Sequence, residues 1–385
     1  MNHRVVCAAL IFVAVLCLAD AFAESGERWI DPRCTPLECT KNGPFIQFDD
    51  GSLMVVDRNR LSTSKDGGKT WSEPGPIIAP GMNVGHRGHV AQLLRTRDGT
   101  IVIVYVDFTD RFFSWSEEKL APNPGCKLEL WVIRSTDGGK TWTDRQRLLD
   151  GYNTDFMGLI QTRDGNVVAA VGHLDFEGAH WVTYSFVSKD DGKTWRRSNV
   201  IDLGGRGHHD GADEPSLAEL SDGRLMMLIR TSLGQFWKAI STDGGHYWRI
   251  IKPSGINASS APGWLLRLKS GRLVFAWNQF KAGPAWWGKR FERAAFEFPA
   301  SSYREELSIA FSDDDGQTWT EPVVIARQPG GQLCYPYILE RKPGELWVFT
   351  RYSFYKGGVD EKGNAKTGKP APPLAVRLME ADFAE

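Results

Sequence analysis

The chain has 385 residues, 42% hydrophobic and 24% charged, which is globular composition and excludes a disordered chain. Lys plus Arg number 46 against 47 Asp plus Glu, so a net charge of -1 argues against nucleic acid as a partner. Two counts depart from the average: 15 Trp, and 40 Gly, which is about 10% of the chain where roughly 7% is usual. Gly at that level without a collagen period predicts many tight turns and hence many short strands.

In chain order, the first element reads as an export signal. Met1-Asn2-His3-Arg4 is a short basic start, Val5 to Leu18 is an uncharged apolar run, and Ala21-Phe22-Ala23 is an A-x-A cleavage site. The run falls short of the ~20 residues that a spanning helix needs. Residues 1–23 are therefore expected to be removed on export to the periplasm or the exterior, leaving 24–385 with no stable membrane span. Of the six cysteines, the mature portion keeps Cys34, Cys39, Cys126 and Cys334. Cys34 and Cys39 are close enough to pair locally; four buried or locally paired thiols are the plainer reading, and their spacing matches no zinc site.

One octapeptide then recurs along the chain. It reads Ser64-Lys-Asp66-Gly-Gly-Lys-Thr70-Trp71, then Ser135-Thr-Asp137-Gly-Gly-Lys-Thr141-Trp142, then Ser188-Lys-Asp190-Asp-Gly-Lys-Thr194-Trp195. It returns as Ser241-Thr-Asp243-Gly-Gly-His-Tyr247-Trp248 and Ser312-Asp-Asp314-Asp-Gly-Gln-Thr318-Trp319. The string describes a tight hairpin turn. Its Asp accepts backbone N–H bonds across the turn, Gly supplies positive φ, and Trp packs beneath.

A softer repeat precedes each box: an apolar strand, a D-G-type turn, and a second apolar strand. The units are Phe45–Phe48 with Leu53–Val56, Val90–Leu94 with Ile101–Val106, and Met157–Gln161 with Val167–Val171. They continue as Leu217–Leu220 with Leu225–Ile229, Trp264–Leu268 with Leu273–Trp277, and Ile338–Glu340 with Leu346–Phe349. Six such units, five followed by a box, predict an all-β fold: a six-bladed β-propeller of four-stranded antiparallel blades filling 24–385 as one domain. The C-terminal strand Leu374–Leu378 is expected to finish the ring.

The register also locates a functional rim. In each unit the start of the first strand and the end of the second lie opposite the D-G turn, around the central opening. These positions hold Asn42, His89, Asp155, Glu214, Pro262 and Tyr335, and then Arg58, Asp107, His173, Arg230, Asn278 and Arg351. A rim this rich in Asp, Glu, His, Arg and Tyr is where a propeller binds ligands. Plainer roles exist for each: rim charges for Arg58 and Arg351, loop hydrogen bonding for His173, His208 and His209, and a structural salt bridge for Glu214 with Arg230.

The five boxes and this rim together resemble the exo-sialidase (neuraminidase) superfamily over essentially all of 24–385. Asp213-Glu214-Pro215, followed by Asp222-Gly223-Arg224-Leu225 and Arg230, resembles the segment holding that family's catalytic Glu and an Arg of its carboxylate-binding triad. Arg304-Glu-Glu-Leu307 resembles the segment bearing another triad Arg, and Tyr335 sits where the family has its nucleophilic Tyr. The family's R-I-P motif is absent: His89 occupies its Arg position, with Arg87 two residues earlier. For the general acid that the resemblance implies, the loop after Val106 offers both Asp107 and Asp110.

The resemblance implies a retaining exo-glycosidase releasing sialic acid or a related acidic sugar from glycans. A neutral Tyr nucleophile avoids the repulsion that a carboxylate would meet beside an anionic sugar. In that scheme Tyr335 attacks, Glu214 is its base, Asp110 or Asp107 protonates the leaving oxygen, and Arg87, Arg230 and Arg304 clamp the substrate carboxylate. No metal or organic cofactor is required. Two other readings fit the residues. One is a glycosidase or lyase acting on uronic-acid polysaccharides, with His89 and Tyr335 as base and acid. The other is a non-catalytic glycan-binding propeller stacking sugars on Trp264, Trp277 and Ala285-Trp286-Trp287.

Overall fold

The computed structural model describes residues 27–85, 91–154, 157–281, 303–355 and 368–383. The expected signal segment, Arg87, His89, Asp155, Trp286 and Trp287 therefore lie outside the described residues. Within them the chain is all-β apart from one short 3₁₀ turn at Glu380–Asp382, and no helix is long and apolar enough to cross a membrane.

Six antiparallel sheets form the blades of the propeller. Each expected strand–turn–strand unit is the inner pair of one blade. In the fourth blade Asp213–Glu219, Leu225–Arg230, Gln235–Ser241 and Trp248–Asn257 follow one another outward. The reason is local: tight three-residue turns ending in D-G, such as Arg97-Asp98-Gly99 between the bonded Thr96 and Thr100, join strands whose apolar residues pack on both faces, because each blade is sandwiched between neighbours. Hence Val167–Asp175 and Leu225–Arg230 read as near-continuous apolar runs with almost every residue buried.

The ring closes differently from expectation. Ala375–Met379 is the third strand of the sixth blade, not its last; the outermost place is taken by the N-terminal Thr35–Pro36, which pairs with it. Trp29–Ile30 adds a fifth strand to the fifth blade by pairing with Val323–Arg327. Two-residue strands carry no periodicity, so only their partners reveal them. A second set of ties runs between turns. The Arg97 guanidinium donates to the carbonyls of Thr162 (2.7 Å) and Arg163 (3.0 Å), and Arg163 donates to those of Leu220 (2.8 Å) and Ser221 (2.9 Å). These turns thus anchor their neighbours, and Arg341 carries the tie from the sixth blade to Gly51 of the first at 2.6 Å.

The boxes adopt the expected hairpin geometry. The Asp66, Asp137, Asp190, Asp243 and Asp314 carboxylates each accept the backbone N–H four residues on, at 2.8–3.0 Å. In four boxes the Thr hydroxyl donates to the same carboxylate; Tyr247 replaces that Thr in the fourth. Where the third and fifth boxes have Asp in place of the first Gly, Asp191 and Asp315 take the left-handed conformation themselves (φ 54° and 62°). Box Trp packing varies with depth: Trp248 is fully buried and donates to Ser185 Oγ at 2.8 Å, whereas Trp71 is half-buried and stacks on Phe45. None of Cys34, Cys39, Cys126 and Cys334 is in a disulfide, and the local Cys34–Cys39 pairing is not formed. Trp277 lies in the core, which leaves no sugar-stacking face there.

Hydrogen bonds from the box Thr hydroxyls, then from backbone N–H groups, hold Asp66 and Asp314 down at about 2, and lower Asp137 by the same means. A depressed carboxylate stabilises the fold above its unfolded value of ~3.9, and that contribution is lost as pH falls toward about 2. Thermal unfolding followed from pH 5 to 2 should therefore show a steep acid limb. Replacing Asp66, Asp137 and Asp314 together by Asn should lower the melting temperature at pH 6 and flatten that limb.

Candidate functional site

Three rim residues distant in sequence meet around one buried guanidinium. Arg230, at the end of the second strand of the fourth blade, is 5% exposed and forms an ion pair with Glu214 on the first strand. The other oxygen of that carboxylate accepts the Tyr335 hydroxyl of the sixth blade at 2.7 Å. Glu214 is 3% exposed and Tyr335 8%, so this is a dry network. Arg230 is therefore both the structural partner of Glu214 and one end of a chain that reaches Tyr335.

The backbone that aims these side chains is unusual in the same way at both places. Glu214 and Tyr335 both have positive φ, 39° and 56°, although both lie within strands. Non-glycine residues held there cost about 1–3 kcal/mol each. Both precede a proline, Pro215 and Pro336, in the innermost strand of a blade, and that strand is a sheet edge facing the opening. Proline, lacking an N–H, is tolerated only at such an edge or at a bulge. At Glu214 there is also a bulge: Asp213 pairs with Arg230 but Ser216 pairs with Leu228, leaving an extra residue between them. A bulge of this kind re-aims a side chain out of the ladder.

The second expected arginine joins from the fifth blade. Arg230 donates from Nε and Nη2 to Ser260 Oγ at 3.3 and 3.2 Å, while Arg304 donates to the Ser260 carbonyl. Arg304 also reaches Cys334 Sγ at 3.8 Å, beside Tyr335. Its Nε is buried and makes no hydrogen bond among the described residues. Arg351 is 6% exposed and lies 5.2 Å from the Trp264 ring centre and 5.8 Å from that of Tyr337, with Met157 Sδ at 3.2 Å.

The remaining rim candidates are placed elsewhere. Asp107 is buried against Arg145 at 3.1 Å, and Asp110 is exposed and paired with Lys127 at 3.0 Å. Both line an open cleft of about 140 Å³ on the second blade with Glu129 and Trp131, and neither bonds to the Tyr335 network among the described residues. His173 shares a 3.0 Å hydrogen bond with Asn153, and burial lowers its pKa. Asn278 donates to the carbonyls of Glu306 and Leu333, both at 2.7 Å, which is a structural bridge between the fifth and sixth blades. Arg58 is exposed with φ 59°.

Sequence reasoning assigned no role to Asp213, Ser260, Thr154 or Gly172. Asp213 Oδ1 accepts the Glu214 N–H at 2.8 Å, and its carboxyl also meets Thr154 of the third blade. Only glycine fits at 172, since a Cβ there would lie 2.5 Å from Thr154 Oγ1 and 2.6 Å from Asp213 Oδ1. The D-E-P string was itself a signal, because an acidic residue next to a pre-proline Glu on an edge strand has no apolar role.

The profile of the BNR repeat-like domain family matches residues 60–348. The chain belongs to this family, within the sialidase superfamily. This BNR propeller is 29% identical over 336 residues to a sialidase of Micromonospora viridifaciens, covering 81% of the chain and 48% of that protein. It thus spans about half the length of its curated relative. Among solved structures it resembles the Hadza microbial sialidase Hz136 with TM-score 0.57 and 16% identity, over 88% of this chain and 65% of that one. A protein of unknown function from Dyadobacter fermentans matches with TM-score 0.57 and 18% identity, over 92% and 99% of the two chains. An α-L-arabinofuranosidase of Fusarium graminearum matches with TM-score 0.52 and 12% identity, over 89% and 93%. At these identities the solved structures speak for the fold alone.

Breaking the Arg230–Glu214 pair of this BNR propeller from one side leaves a buried uncompensated charge. Arg230→Ala or Glu214→Ala should each cost about 3–5 kcal/mol in urea unfolding, and the double variant should cost less than their sum.

Proposed function

We propose that this BNR propeller is an exported sialidase-like exo-glycosidase that removes a terminal acidic sugar, sialic acid or a close relative, by a retaining route. The observation that carries the reading is the 2.7 Å bond from the Tyr335 hydroxyl to a Glu214 carboxylate whose second oxygen is held by Arg230. Family membership and the 29% identity to a sialidase support it.

In this mechanism the Tyr335 oxygen attacks the anomeric carbon as Glu214 takes the phenolic proton. The glycosidic bond breaks, and a carboxylic acid donates its proton to the leaving oxygen. Of the two candidates Asp110 is favoured, because its carboxyl is solvent-exposed whereas that of Asp107 is buried on Arg145. Water, giving its proton to the aspartate that served as the acid, then attacks the tyrosyl-linked sugar, Tyr335 leaves, and Glu214 returns the phenolic proton. A phenol suits this step because it is uncharged until it attacks, so the sugar carboxylate does not repel it. That carboxylate would be bound by Arg230 and Arg304, with Arg87 as the third arm.

Turnover of chromogenic α-glycosides of sialic acid and related acidic sugars tests this directly. The wild type should hydrolyse at least one with retention, Tyr335→Phe should abolish it, and Glu214→Gln should lower kcat by about 10²–10⁴-fold. Equal rates for wild type and Tyr335→Phe would remove Tyr335 as nucleophile. A product absorbing in the ultraviolet would indicate a lyase, and binding without turnover of any acidic glycoside a glycan-binding propeller.

A further inference from the structure

Asp213 is the buried acid that the mechanism above does not use. It is 4% exposed and touches three elements: Glu214 on its own strand, Arg230 on the paired strand, and Thr154 with Gly172 from the third blade. The contacts are unequal. Arg230 bonds directly to Glu214, but its nearest approach to Asp213 is 3.7 Å, beyond hydrogen-bonding reach. If both acids were ionised, Arg230 would face two carboxylates by itself, because the neighbouring Arg304 guanidinium is directed to the Ser260 carbonyl and Cys334 Sγ. An uncompensated charge in a dry site is costly, so one carboxyl keeps its proton. Glu214 has the guanidinium bond and receives the Tyr335 hydroxyl, so it is the ionised member.

We propose that Asp213 is a positioning residue that acts as a neutral carboxyl. It accepts the Glu214 N–H, braces against Thr154, and so holds Glu214 in its left-handed conformation as the one anionic partner of Arg230. The inference rests on the functional reading above and deepens it. The missing Cβ at Gly172 is what allows Thr154 and Asp213 to approach, and this is a reason for glycine where φ requires none. Burial, then the neighbouring Glu214 carboxylate, push the Asp213 pKa up to about 8, and Arg230 and Thr154 pull against that rise. A neutral carboxyl at this point also keeps Arg230 from being shared between two carboxylates.

The isosteric amide separates this role from that of a charged residue. Asp213→Asn keeps the acceptor for Glu214 N–H and a donor toward Thr154, so its kcat near pH 6.5 should stay within about threefold of wild type, whereas Asp213→Ala should lose about 100-fold with KM little changed. An Asn variant as impaired as the Ala variant would overturn the proposal. A second readout needs no substrate. A carboxyl with a raised folded pKa stabilises the fold below its unfolded value of ~3.9, and that contribution is lost as pH rises toward about 8. The melting temperature of Asp213→Asn should therefore gain on that of wild type between pH 4 and 8, and a constant difference would overturn the neutral carboxyl. If wild type turns over no acidic glycoside, the functional reading fails while the thermal comparison still decides the state of Asp213. The Asn variant carries both measurements whether or not the Ala variant folds.

Discussion

A guanidinium buried at the centre of a six-bladed ring must be neutralised by groups that the ring itself brings in, and most of the candidate site follows from that need. Arg230 is almost completely buried, and water cannot compensate it there. Its compensation comes from Glu214 on the same blade and Ser260 at the start of the next. Once Glu214 is committed on one oxygen, its other oxygen is oriented toward the sixth blade, where Tyr335 meets it. The ion pair is therefore structural, and it also orients the Glu214 oxygen that meets Tyr335. The two roles are not alternatives.

The backbone bears the cost of that arrangement. Glu214 and Tyr335 both sit at positive φ on strands that border the opening, and each is followed by proline. An inner strand has neighbours on one side only, so it can lose a ladder bond without leaving it buried and unmet. The same edge lets the bulge at Glu214 turn the carboxylate inward. Strain is tolerated because the rest of the blade is over-determined: apolar strands packed on both faces, D-G turns tied by arginine to the next blade, and boxes locked by their own carboxylates.

Much of the candidate site was legible before any coordinates. Six strand–turn–strand units and five boxes carried the blade count, because each box repeats one local set of hydrogen bonds that needs no distant partner. Register arithmetic on the D-G turns brought Glu214, Arg230 and Tyr335 to one rim, and the three do meet. The same arithmetic put Asp107, His173 and Asn278 at that rim, yet their side chains turn to Arg145, Asn153 and the Glu306 and Leu333 carbonyls. Register locates a Cα along a blade; it does not say which face of the strand the side chain takes once neighbouring blades compete for it. Ser260 escaped notice because it belongs to a connection between blades, where no repeat sets the position.

The amino-acid sequence by itself determined what is local and repeated: the hairpin boxes, the alternation of strand and turn, the number of blades, and the fact that acids and arginines gather at one end. Tertiary structure decided what depends on contacts far apart in the chain. It closed the ring with Thr35–Pro36 on Ala375–Met379, whose partners are some 340 residues away, and it joined Arg230 to Arg304 through Ser260. It also set Asp213 between Arg230, Glu214 and Thr154. Charge compensation in a buried site depends on every group within a few ångströms, and only the closed ring determines which groups those are.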